Sequence, residues 1–418
     1  MTAPSISPAF GGTGKYSAPE IEIIRSEPSA IAQVQGLGDD HVVTAAEIRE
    51  ALAGTNSRGR EIPAAAGPAA VRVRGAWIRG TLDLDGIAQA AGGLHLISCK
   101  LDQPLTLRGA VIGWLVAEEC VLPGLWAERV TAGTLTVADS LITGNCHGGA
   151  LRLAGARVSG DVRLDGTRLD NPAGPAVQAT GLVAGAEVSM AAVDARGTGP
   201  DGVICLTGAT VTGDLTLPRA RLIAGSGPAF NARNVSVKGT ARLDQGFAAT
   251  GTGESGAVCL TGASITRGLS LRGASLANGS GPALAADQIT VRSGVAIDQD
   301  FRAIGSGHLA AVRLAKATVS GDLLLDGATL ANRTGPALAA DLISVTGSVS
   351  MNGSGRSGAR FSAAGAAGRG TVQFRHARIA GQLLLSGAVV TNGSGPALAA
   401  DQATIGGTWA QVPACIED

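Results

Sequence analysis

A repeat of about 54 residues constrains this chain more than any other feature of its sequence. The pair Gly-Pro marks the copies and returns at intervals of 53, 54, 54 and 60 residues. The prolines of these pairs are Pro175, Pro228, Pro282, Pro336 and Pro396. The last three copies continue as GPALAAD without change. Internal repeats of this length are typical of solenoids, propellers and arrays, in which each repeat packs mainly on its neighbours.

Each copy contains short units of the form Gly-x-Leu-x-Leu-x-Gly-Ala-x-Leu, such as GDLLLDGATL at 321–330. Alternation of apolar residues over three to five positions, followed by Gly, predicts a short strand and a turn. Four such units per repeat fit two coils of an all-β, right-handed parallel β-helix, and roughly 345 residues would give about 13 coils. The alternative is a β-propeller, whose blades also repeat at about 50 residues but usually carry longer strands and periodic aromatics.

The composition supports a narrow core and limits the classes of partner. The chain has 62 Gly but only six Phe, four Trp and one Tyr, so small aliphatic side chains must fill the core. Lys and Arg total 33, as do Asp and Glu, and this zero formal charge argues against a nucleic-acid groove. A neutral surface also lacks the repulsion that keeps copies apart, which favours self-association or a protein partner.

No targeting or membrane-spanning segment is predicted. The N-terminal residues lack the basic start and apolar run of a secretory signal. Every apolar stretch of about 18 residues is interrupted by Gly or a charged residue, unlike a membrane-spanning helix. We therefore expect a cytoplasmic protein without a transmembrane segment, and peripheral membrane contact stays open.

Five segments are predicted along the chain. They are a loosely ordered segment 1–40, a helical cap 41–70, irregular coils 71–148, regular 54-residue-repeat coils 149–408 and a C-terminal cap 409–418. Thr44 and Glu47 have the spacing of a capping box, which predicts a helix that ends near Ala53. The tail WAQVPACIED breaks the repeat pattern and should close the other end of the β-helix.

Several motifs together resemble a group of bacterial repeat proteins. They are VTAAEIREAL at 43–52, GTLDLDG at 80–86, the GDLxLxGAxL units and GPALAAD. Members of that group often carry the label "membrane-associated oxidoreductase", and the resemblance covers most of the chain from about residue 42. It implies a redox activity but assigns no catalytic residues to positions of this chain. The shorter units also resemble, more loosely, pentapeptide-repeat and bactofilin β-helices.

Four of the cysteines fall into two pairs by their positions in the repeat. Cys99 and Cys120 occupy equivalent positions about one coil apart and should stack as small buried side chains. A disulfide or redox pair is the alternative. Cys205 and Cys259 alternate with apolar neighbours, so we expect both thiols to face solvent, two coils apart. Exposed thiols favour a reducing compartment.

The remaining polar residues contain no motif for catalysis, a metal or a cofactor. The chain has no CxxC pair, and its five His share no repeat position, so we predict no metal site. Glycine pairs lie at turns rather than at the start of a helix after a buried strand, so we predict no nucleotide cofactor. Asp287, Asp341 and Asp401 end the GPALAAD copies, and Asp165 and Asp326 share another turn position. We expect them to serve the turns, although a row of carboxylates could also supply an acid/base pair.

The best candidates for an interaction surface are aromatic and basic side chains. Trp114 and Trp126 lie on the outward phase of the alternation, and exposed tryptophans are common at binding sites. Arg356 and Arg360 lie in a Gly/Ser-rich insertion in the fourth repeat, NGSGRSGAR at 352–360. The sequence therefore favours a non-enzymatic scaffold that binds a protein partner or itself. An oxidoreductase, as the resemblance implies, or a carbohydrate-active β-helix enzyme is the alternative.

Overall fold

The computed structural model describes residues 20–24, 31–53, 70–353, 359–407, 409–410 and 415–417. Its strands stack in parallel as a β-solenoid of about 13 turns, which confirms the predicted fold class and excludes a propeller. The chain divides into two compact units, 1–190 and 191–418, and each is described by itself.

The first unit contains three parallel sheets. The strands of its first sheet are Glu20–Ile24, Ala70–Arg74, Ala88–Ile97, Val111–Glu118, Thr131–Ala138, Arg157–Val158, Val162–Arg163, Val183–Ala184 and Val188–Ser189. Those of its second sheet are Val42–Thr44, Trp77–Arg79, Lys100–Leu101, Val121–Leu122, Leu141–Thr143 and Arg168–Asn171. Those of its third sheet are Leu105–Thr106, Leu125–Trp126, Leu151–Arg152 and Val177–Gln178.

The second unit has the same three kinds of sheet. Its first-sheet strands are Thr210–Val211, Leu215–Thr216, Ser236–Val237, Ala241–Arg242, Ser264–Ile265, Leu269–Ser270, Thr290–Val291, Val295–Ala296, Thr318–Val319, Leu323–Leu324, Ser344–Val345, Val349–Ser350, Arg378–Ile379, Leu383–Leu384, Thr404–Ile405 and Trp409–Ala410. Its second-sheet strands are Asp194–Gly197, Arg221–Ala224, Ala248–Gly251, Ser275–Asn278, Arg302–Gly305, Thr329–Asn332, Ser362–Gly365, Val389–Asn392 and Cys415–Glu417. Its third-sheet strands are Ile204–Cys205, Phe230–Asn231, Val258–Cys259, Leu284–Ala285, Val312–Arg313, Leu338–Ala339, Val372–Gln373 and Leu398–Ala399.

The first-sheet strands shorten along the first unit because one residue is added at their centre. Thr131–Ala138 is still a continuous strand. In the next coil, Val158 pairs with Ala132 and Val162 pairs with Leu135, so the later coil has one residue more between the two pairs. The extra residue acts as a bulge and divides the strand into two short segments.

Rows of similar aliphatic side chains fill the core of the second unit. Leu206, Leu260 and Leu314, which the sequence predicts to share one core, are each at most 1 % exposed. Parallel register also places Val237 opposite Val211 in the neighbouring coil, with both side chains fully buried. Such rows reach interior packing density with few aromatic side chains, as the composition requires.

One buried position explains why the sequence repeat spans two coils. This position lies between the first and second sheets, and we call it the corner column. In the second unit the corner column carries, coil by coil, Val193, Ala220, Phe247, Ala274, Phe301, Ala328, Phe361 and Ala388. The three phenylalanines are fully buried. The small Ala of the coils on either side leaves room for each ring, so large and small residues must alternate.

The last position of the second-sheet strands alternates in the same way. Gly251 pairs with Asn278 of the next coil. Asn278 Nδ2 donates to the carbonyls of Gly253 (2.9 Å) and Pro282 (2.7 Å), which fixes the Gly-Pro loops. At Gly251, by contrast, a Cβ atom would lie 2.8 Å from Ala257 Cα. A side chain therefore holds the loop in one coil, and close backbone contact requires Gly in the other.

The N-terminal helix is confirmed. Ala45–Ala53 is helical, after a short helix at Ile31–Gln35 and a 3-10 turn at Asp39–His41. The Thr44 N–H donates to Glu47 Oε2 (2.8 Å), and the Glu47 N–H donates to Thr44 Oγ1 (3.3 Å). These reciprocal bonds are the predicted capping box. Ile48 and Leu52 of the helix are buried and complete the core at this end.

Two segments outside the regular repeats also contain paired strands. Glu20–Ile24 lies in the region expected to be loosely ordered, yet it is a strand paired with Ala70–Arg74. Trp409–Ala410 and Cys415–Glu417, in the tail expected to break the pattern, pair with strands of the preceding coil. Parallel pairing uses main-chain N–H and C=O groups, so a ladder can continue after the side-chain pattern has ended.

Candidate interaction surface

The first unit carries three tryptophans, and each lies on a different sheet. Trp77 belongs to the second sheet, Trp114 to the first and Trp126 to the third. All three side chains are half-buried on the outer surface. Trp114 and Trp126, the two that the sequence singles out, therefore do not form one surface. Each must be considered with its own neighbours.

Trp126 lies between two arginines of the neighbouring coils. In the strand Leu125–Trp126, Leu125 is fully buried and Trp126 faces outward, as the alternation predicts. The Arg152 guanidinium carbon lies 4.5 Å from the centre of the indole ring, and that of Arg108 lies 5.8 Å from it. A guanidinium at these distances is attracted to the electron-rich face of the ring. The arginines therefore hold the ring against the sheet.

Two carboxylates balance these arginines. Glu128 Oε1 lies 3.6 Å from Arg152 Nη1, and Asp85 Oδ2 lies 2.8 Å from Arg108 Nε. Asp85 Oδ1 also accepts the main-chain N–H of Arg108 (2.7 Å). We call Asp85, Arg108, Trp126, Glu128 and Arg152 the Trp126 patch. It is neutral overall but presents both signs of charge around one aromatic ring.

Two polar atoms of the Trp126 patch are buried without a hydrogen-bond partner in the part of the chain that the structure describes. They are the indole donor Trp126 Nε1 and the carboxylate oxygen Glu128 Oε2. A buried polar atom without a partner costs about 1–3 kcal/mol relative to one that is hydrogen-bonded. The patch is therefore a place where a second molecule could relieve an existing penalty.

Trp114 belongs to a different arrangement on the first sheet. Its ring meets the His95 ring edge-on, with the ring centres 6.3 Å apart, and it covers Gly93, where a Cβ atom would lie 2.1 Å from the indole. Arg72 Nε donates to His95 Nδ1 (3.3 Å), which leaves His95 Nε2 as the donor to Glu118 Oε2 (3.2 Å). Trp114 thus packs over a row of three side chains, Arg72, His95 and Glu118, that are already hydrogen-bonded to one another.

Trp77 was missed by the sequence reasoning. Its ring lies 4.1 Å from the Arg79 guanidinium carbon and 4.8 Å from Lys100 Nζ, and its indole N–H donates to Asp102. Its position in AWIRG has the same outward phase as the other two tryptophans, and this signal could have found it. Lys100 also donates to the carbonyl of Gln35 (3.1 Å), so this cluster fastens the N-terminal segment to the sheet.

The structure describes one of the two arginines of the insertion. Arg360 is exposed in the second unit, as its Gly/Ser-rich context predicts. Arg356 lies outside the described residues. Their proposed role as part of an interaction surface stays a prediction.

The prediction that Cys205 and Cys259 are exposed is wrong, because each residue is only 1 % exposed. Asn231 lies between them in the ladder of the third sheet. The Asp201 carbonyl, in the loop before the strand of Cys205, accepts from Asn231 Nδ2 (3.0 Å) and so holds the Asn231 side chain on this surface. A small thiol beside a larger Asn side chain is shielded even though it points away from the core.

Cys99 and Cys120 are buried in adjacent coils of the first unit, as predicted, and form no disulfide. Their thiols donate to main-chain carbonyls, Cys99 to Val73 (3.3 Å) and Cys120 to Glu118 (3.2 Å). Burial raises the pKa of the Cys120 thiol well above its ordinary value, and its hydrogen bond with Cys99 raises it further. Cys120 is therefore a protonated hydrogen-bond donor at neutral pH and not a thiolate nucleophile.

The aspartates of the repeats are engaged in the turns. Asp287 Oδ1 accepts the main-chain N–H of Ala315 (3.0 Å), and its other oxygen pairs with Arg313. Asp341 accepts the main-chain N–H of Arg375 (2.9 Å) and pairs with the guanidinium of the same residue. These contacts follow the expected structural role.

The three other aspartates singled out in the sequence differ in their contacts. Asp165 and Asp326 accept hydroxyl protons from Ser189 (2.6 Å) and Ser350 (2.7 Å) of the next coil. Asp401 is exposed.

In the described segments no group of three His, Cys, Asp or Glu side chains is placed to hold a metal ion. Nor do those segments contain a helix with the length and apolar character needed to cross a membrane.

No protein-family model matches this chain, and no curated protein or solved structure is detectably similar to it. The resemblance based on VTAAEIREAL and GPALAAD therefore stays an expectation. Any function must be argued from the surface chemistry of the chain.

Proposed function

We propose that this protein is a non-enzymatic β-helical scaffold that self-associates through the Trp126 patch. One observation carries the proposal. The patch contains a buried donor, Trp126 Nε1, and a buried acceptor, Glu128 Oε2, and neither has a hydrogen-bond partner among the described residues. Trp and Arg are the residue types that contribute most to binding at protein interfaces. A turn of the indole toward a second chain would give the N–H an acceptor and remove a penalty of about 1–3 kcal/mol.

The chemistry of the patch favours a second copy of this chain over a different partner. In a two-fold dimer the same surface meets itself, so each group must find its complement on an identical copy. The patch meets this condition with two cations, Arg108 and Arg152, and two carboxylates, Asp85 and Glu128. The zero formal charge of the whole chain also leaves little electrostatic repulsion between copies.

The enzymatic alternatives have less support from the side chains. A carbohydrate-cleaving site needs one carboxyl group to act as an acid and another as a base or nucleophile. Asp287 and Asp341 are instead engaged by arginines and main-chain N–H groups. The redox alternative would need a reactive thiol that a substrate can reach, and the side chains of Cys99 and Cys120 are both completely buried.

We also propose a cytoplasmic location. Cys99 and Cys120 lie in adjacent coils but remain thiols, and neighbouring thiols persist best in a reducing compartment. Alkylation of freshly isolated, denatured protein without a reductant should modify both residues. A mass that shows them linked would contradict this location.

Sedimentation velocity over a wide range of protein concentration tests the scaffold proposal. The wild-type protein should shift from monomer to dimer as the concentration rises. Trp126→Ala should raise the dimer dissociation constant about thirtyfold, as expected for the loss of an interface anchor. Trp114→Ala is the matched control, because it removes a half-buried tryptophan from another sheet of the same unit, and it should leave the dissociation constant unchanged. A wild-type protein that stays monomeric, or an equal loss in both variants, would contradict the proposal.

A further inference from the structure

A column of hydroxyl groups runs along the outer surface of the first sheet in the second unit. Six successive coils place a Ser or Thr in register at the outward position: Thr210, Ser236, Ser264, Thr290, Thr318 and Ser344. Stacked parallel strands repeat at about 4.8 Å. The six side chains therefore form a regular row of hydroxyls, and we call this surface the hydroxyl face.

None of these six hydroxyls has a hydrogen-bond partner among the described residues. Other hydroxyls of the same unit are used internally, since Ser270 Oγ donates to Asp244 (2.8 Å) and Ser350 Oγ donates to Asp326 (2.7 Å). Within the described residues, no such bond engages the six hydroxyls of the hydroxyl face. Its donors and acceptors are available to a ligand.

The hydroxyl face also carries cations without ion pairs in the described segments. Lys238 and Arg292 each follow a member of the column, Ser236 or Thr290, by two residues. Arg267 follows another member, Ser264, by three residues, and Arg378 pairs with Ser344 and so continues the column. All four side chains are exposed. Elsewhere in this unit, Arg272, Arg313 and Arg375 are paired with aspartates.

The carboxylates nearest to the hydroxyl face do not neutralise it. Asp214 and Asp322 lie at its edge, where each accepts a main-chain N–H of the next coil at 2.7 Å. Asp214 also lies 3.8 Å from Arg242, a cation outside the four. The face is therefore positively charged, although the chain as a whole has no formal charge.

We infer that the hydroxyl face binds a linear acidic polysaccharide, a chain of uronic acid residues. Such a chain offers hydroxyls and carboxylates at each sugar, and a pyranose residue is close in length to the repeat of the coils. Hydroxyls of successive coils can then bond successive sugars, while the four cations pair with carboxylates. An exposed sheet surface binds each sugar weakly, so affinity must grow with the number of sugars bound at once.

Two other anionic partners fit these observations less well. A lipid surface would use the four cations but has no need of a regular row of hydroxyls. Single-stranded nucleic acid is usually bound by aromatic side chains between the cations, and the hydroxyl face has none. The inference concerns the second unit alone and does not depend on self-association through the Trp126 patch.

Binding to immobilised long-chain polygalacturonate, measured by biolayer interferometry, tests the inference. The wild-type protein should bind polygalacturonate but not neutral dextran, and the affinity should fall as salt is added. Lys238→Ala with Arg292→Ala should weaken binding about tenfold, since each substitution removes an exposed cation that would pair with a carboxylate of the polysaccharide. Thr290→Val with Thr318→Val keeps the shape and charge of the face and should weaken binding about threefold through lost hydrogen bonds.

The matched control is Arg221→Ala with Arg302→Ala. Both arginines are exposed on the second sheet of the same unit and have no ion pair in the described part of the chain, so the charge lost is identical. This variant should stay within about twofold of wild type if the hydroxyl face is the binding site. No binding of wild type to polygalacturonate, or an equal loss in the control, would overturn the inference. Binding to anionic lipid vesicles or to single-stranded DNA provides a further test. The inference would also be overturned if either ligand bound as tightly as polygalacturonate and if Thr290→Val with Thr318→Val left that binding unchanged.

Discussion

The corner column is built in two different ways in the two units. In the first unit it carries small polar side chains that donate to a carbonyl of the preceding coil, among them Cys99 to Val73, Ser140 to Ala117 and Thr167 to Val137. In the second unit, fully buried phenylalanines alternate with alanines at the same position. The first arrangement repeats in four successive coils, whereas the second requires a pair of coils.

This difference shows where the 54-residue period comes from. A hydrogen bond to the preceding coil satisfies each turn by itself, so the first unit needs no alternation between coils. A phenylalanine ring needs more space than one coil provides, so its neighbours must be small. The long period is therefore a consequence of side-chain volume in the second unit and not a requirement of the backbone.

The outer surfaces of the units differ as well. The first unit presents tryptophans held by neighbouring charged or histidine side chains, of which Trp126 is the one with unsatisfied neighbours. The second unit presents a row of hydroxyls and cations without ion pairs in the described segments. The same parallel ladders thus support two surfaces of different chemistry, which is consistent with a scaffold that meets two kinds of partner.

The largest effect is expected from removing a ring of the corner column. Phe301→Ala should lower the free energy of unfolding of the second unit by about 3–5 kcal/mol, because it leaves a cavity between two alanines. Denaturant unfolding measures this change. Phe301→Leu keeps most of the volume and should cost about 1 kcal/mol. A loss of less than 1 kcal/mol in Phe301→Ala would show that the ring does not fill the column.

A smaller loss of stability is expected when one hydrogen bond of the corner column is removed in the first unit. Thr167→Val keeps the side-chain shape but removes the 2.7 Å bond to the Val137 carbonyl, and it should lower the free energy of unfolding by about 1–2 kcal/mol. Thr290→Val makes the same substitution on the hydroxyl face, where the hydroxyl has no partner in the described segments, and should stay within about 0.5 kcal/mol of wild type. Equal losses at both sites would mean that the bond is not what stabilises the turn.

A third effect, a dependence of stability on pH, concerns the Cys120 thiol, and at neutral pH, where the thiol is protonated in both folded and unfolded chains, it vanishes. The pKa of the thiol is raised in the folded protein, so its contribution to stability is complete below the ordinary thiol pKa of about 8.5 and is lost as the pH rises through the raised value. The free energy of unfolding of wild type should therefore fall between about pH 8 and pH 10, with a slope of at most about 1.4 kcal/mol per pH unit from this group. Cys120→Ser, which matches Ser140 of the next coil, should flatten that slope. An unchanged slope would exclude Cys120 as its cause.

The sequence predicts those features that depend on local pattern. The Gly-Pro spacing and the short alternating units predicted the parallel coils, and Thr44 with Glu47 predicted the capping box that the structure shows. The separation of Cys99 from Cys120 predicted their stacking in adjacent coils. In each case the information lies within one strand, one turn or one repeat.

The errors arise where a second segment covers a residue or pairs with it. Cys205 and Cys259 have the outward phase, but they lie beside the larger Asn231, which a loop carbonyl holds in place, and alternation alone cannot reveal this. Trp126 could be assigned to the outside from the sequence. Its contacts with Arg108 and Arg152 depend on the register between coils, which the sequence pattern does not specify.

Hydroxyl-radical footprinting of the tryptophans at low and high protein concentration tests self-association through the Trp126 patch most directly. Trp114 and Trp126 are both half-buried in the isolated chain, so each serves as the reference for the other. The proposal predicts that the oxidation rate of Trp126 falls severalfold as dimers form, while the rate of Trp114 stays constant. If the protein dimerises and the oxidation rate of Trp126 does not change, or if Trp114 is the residue that becomes protected, the Trp126 patch is not the interface.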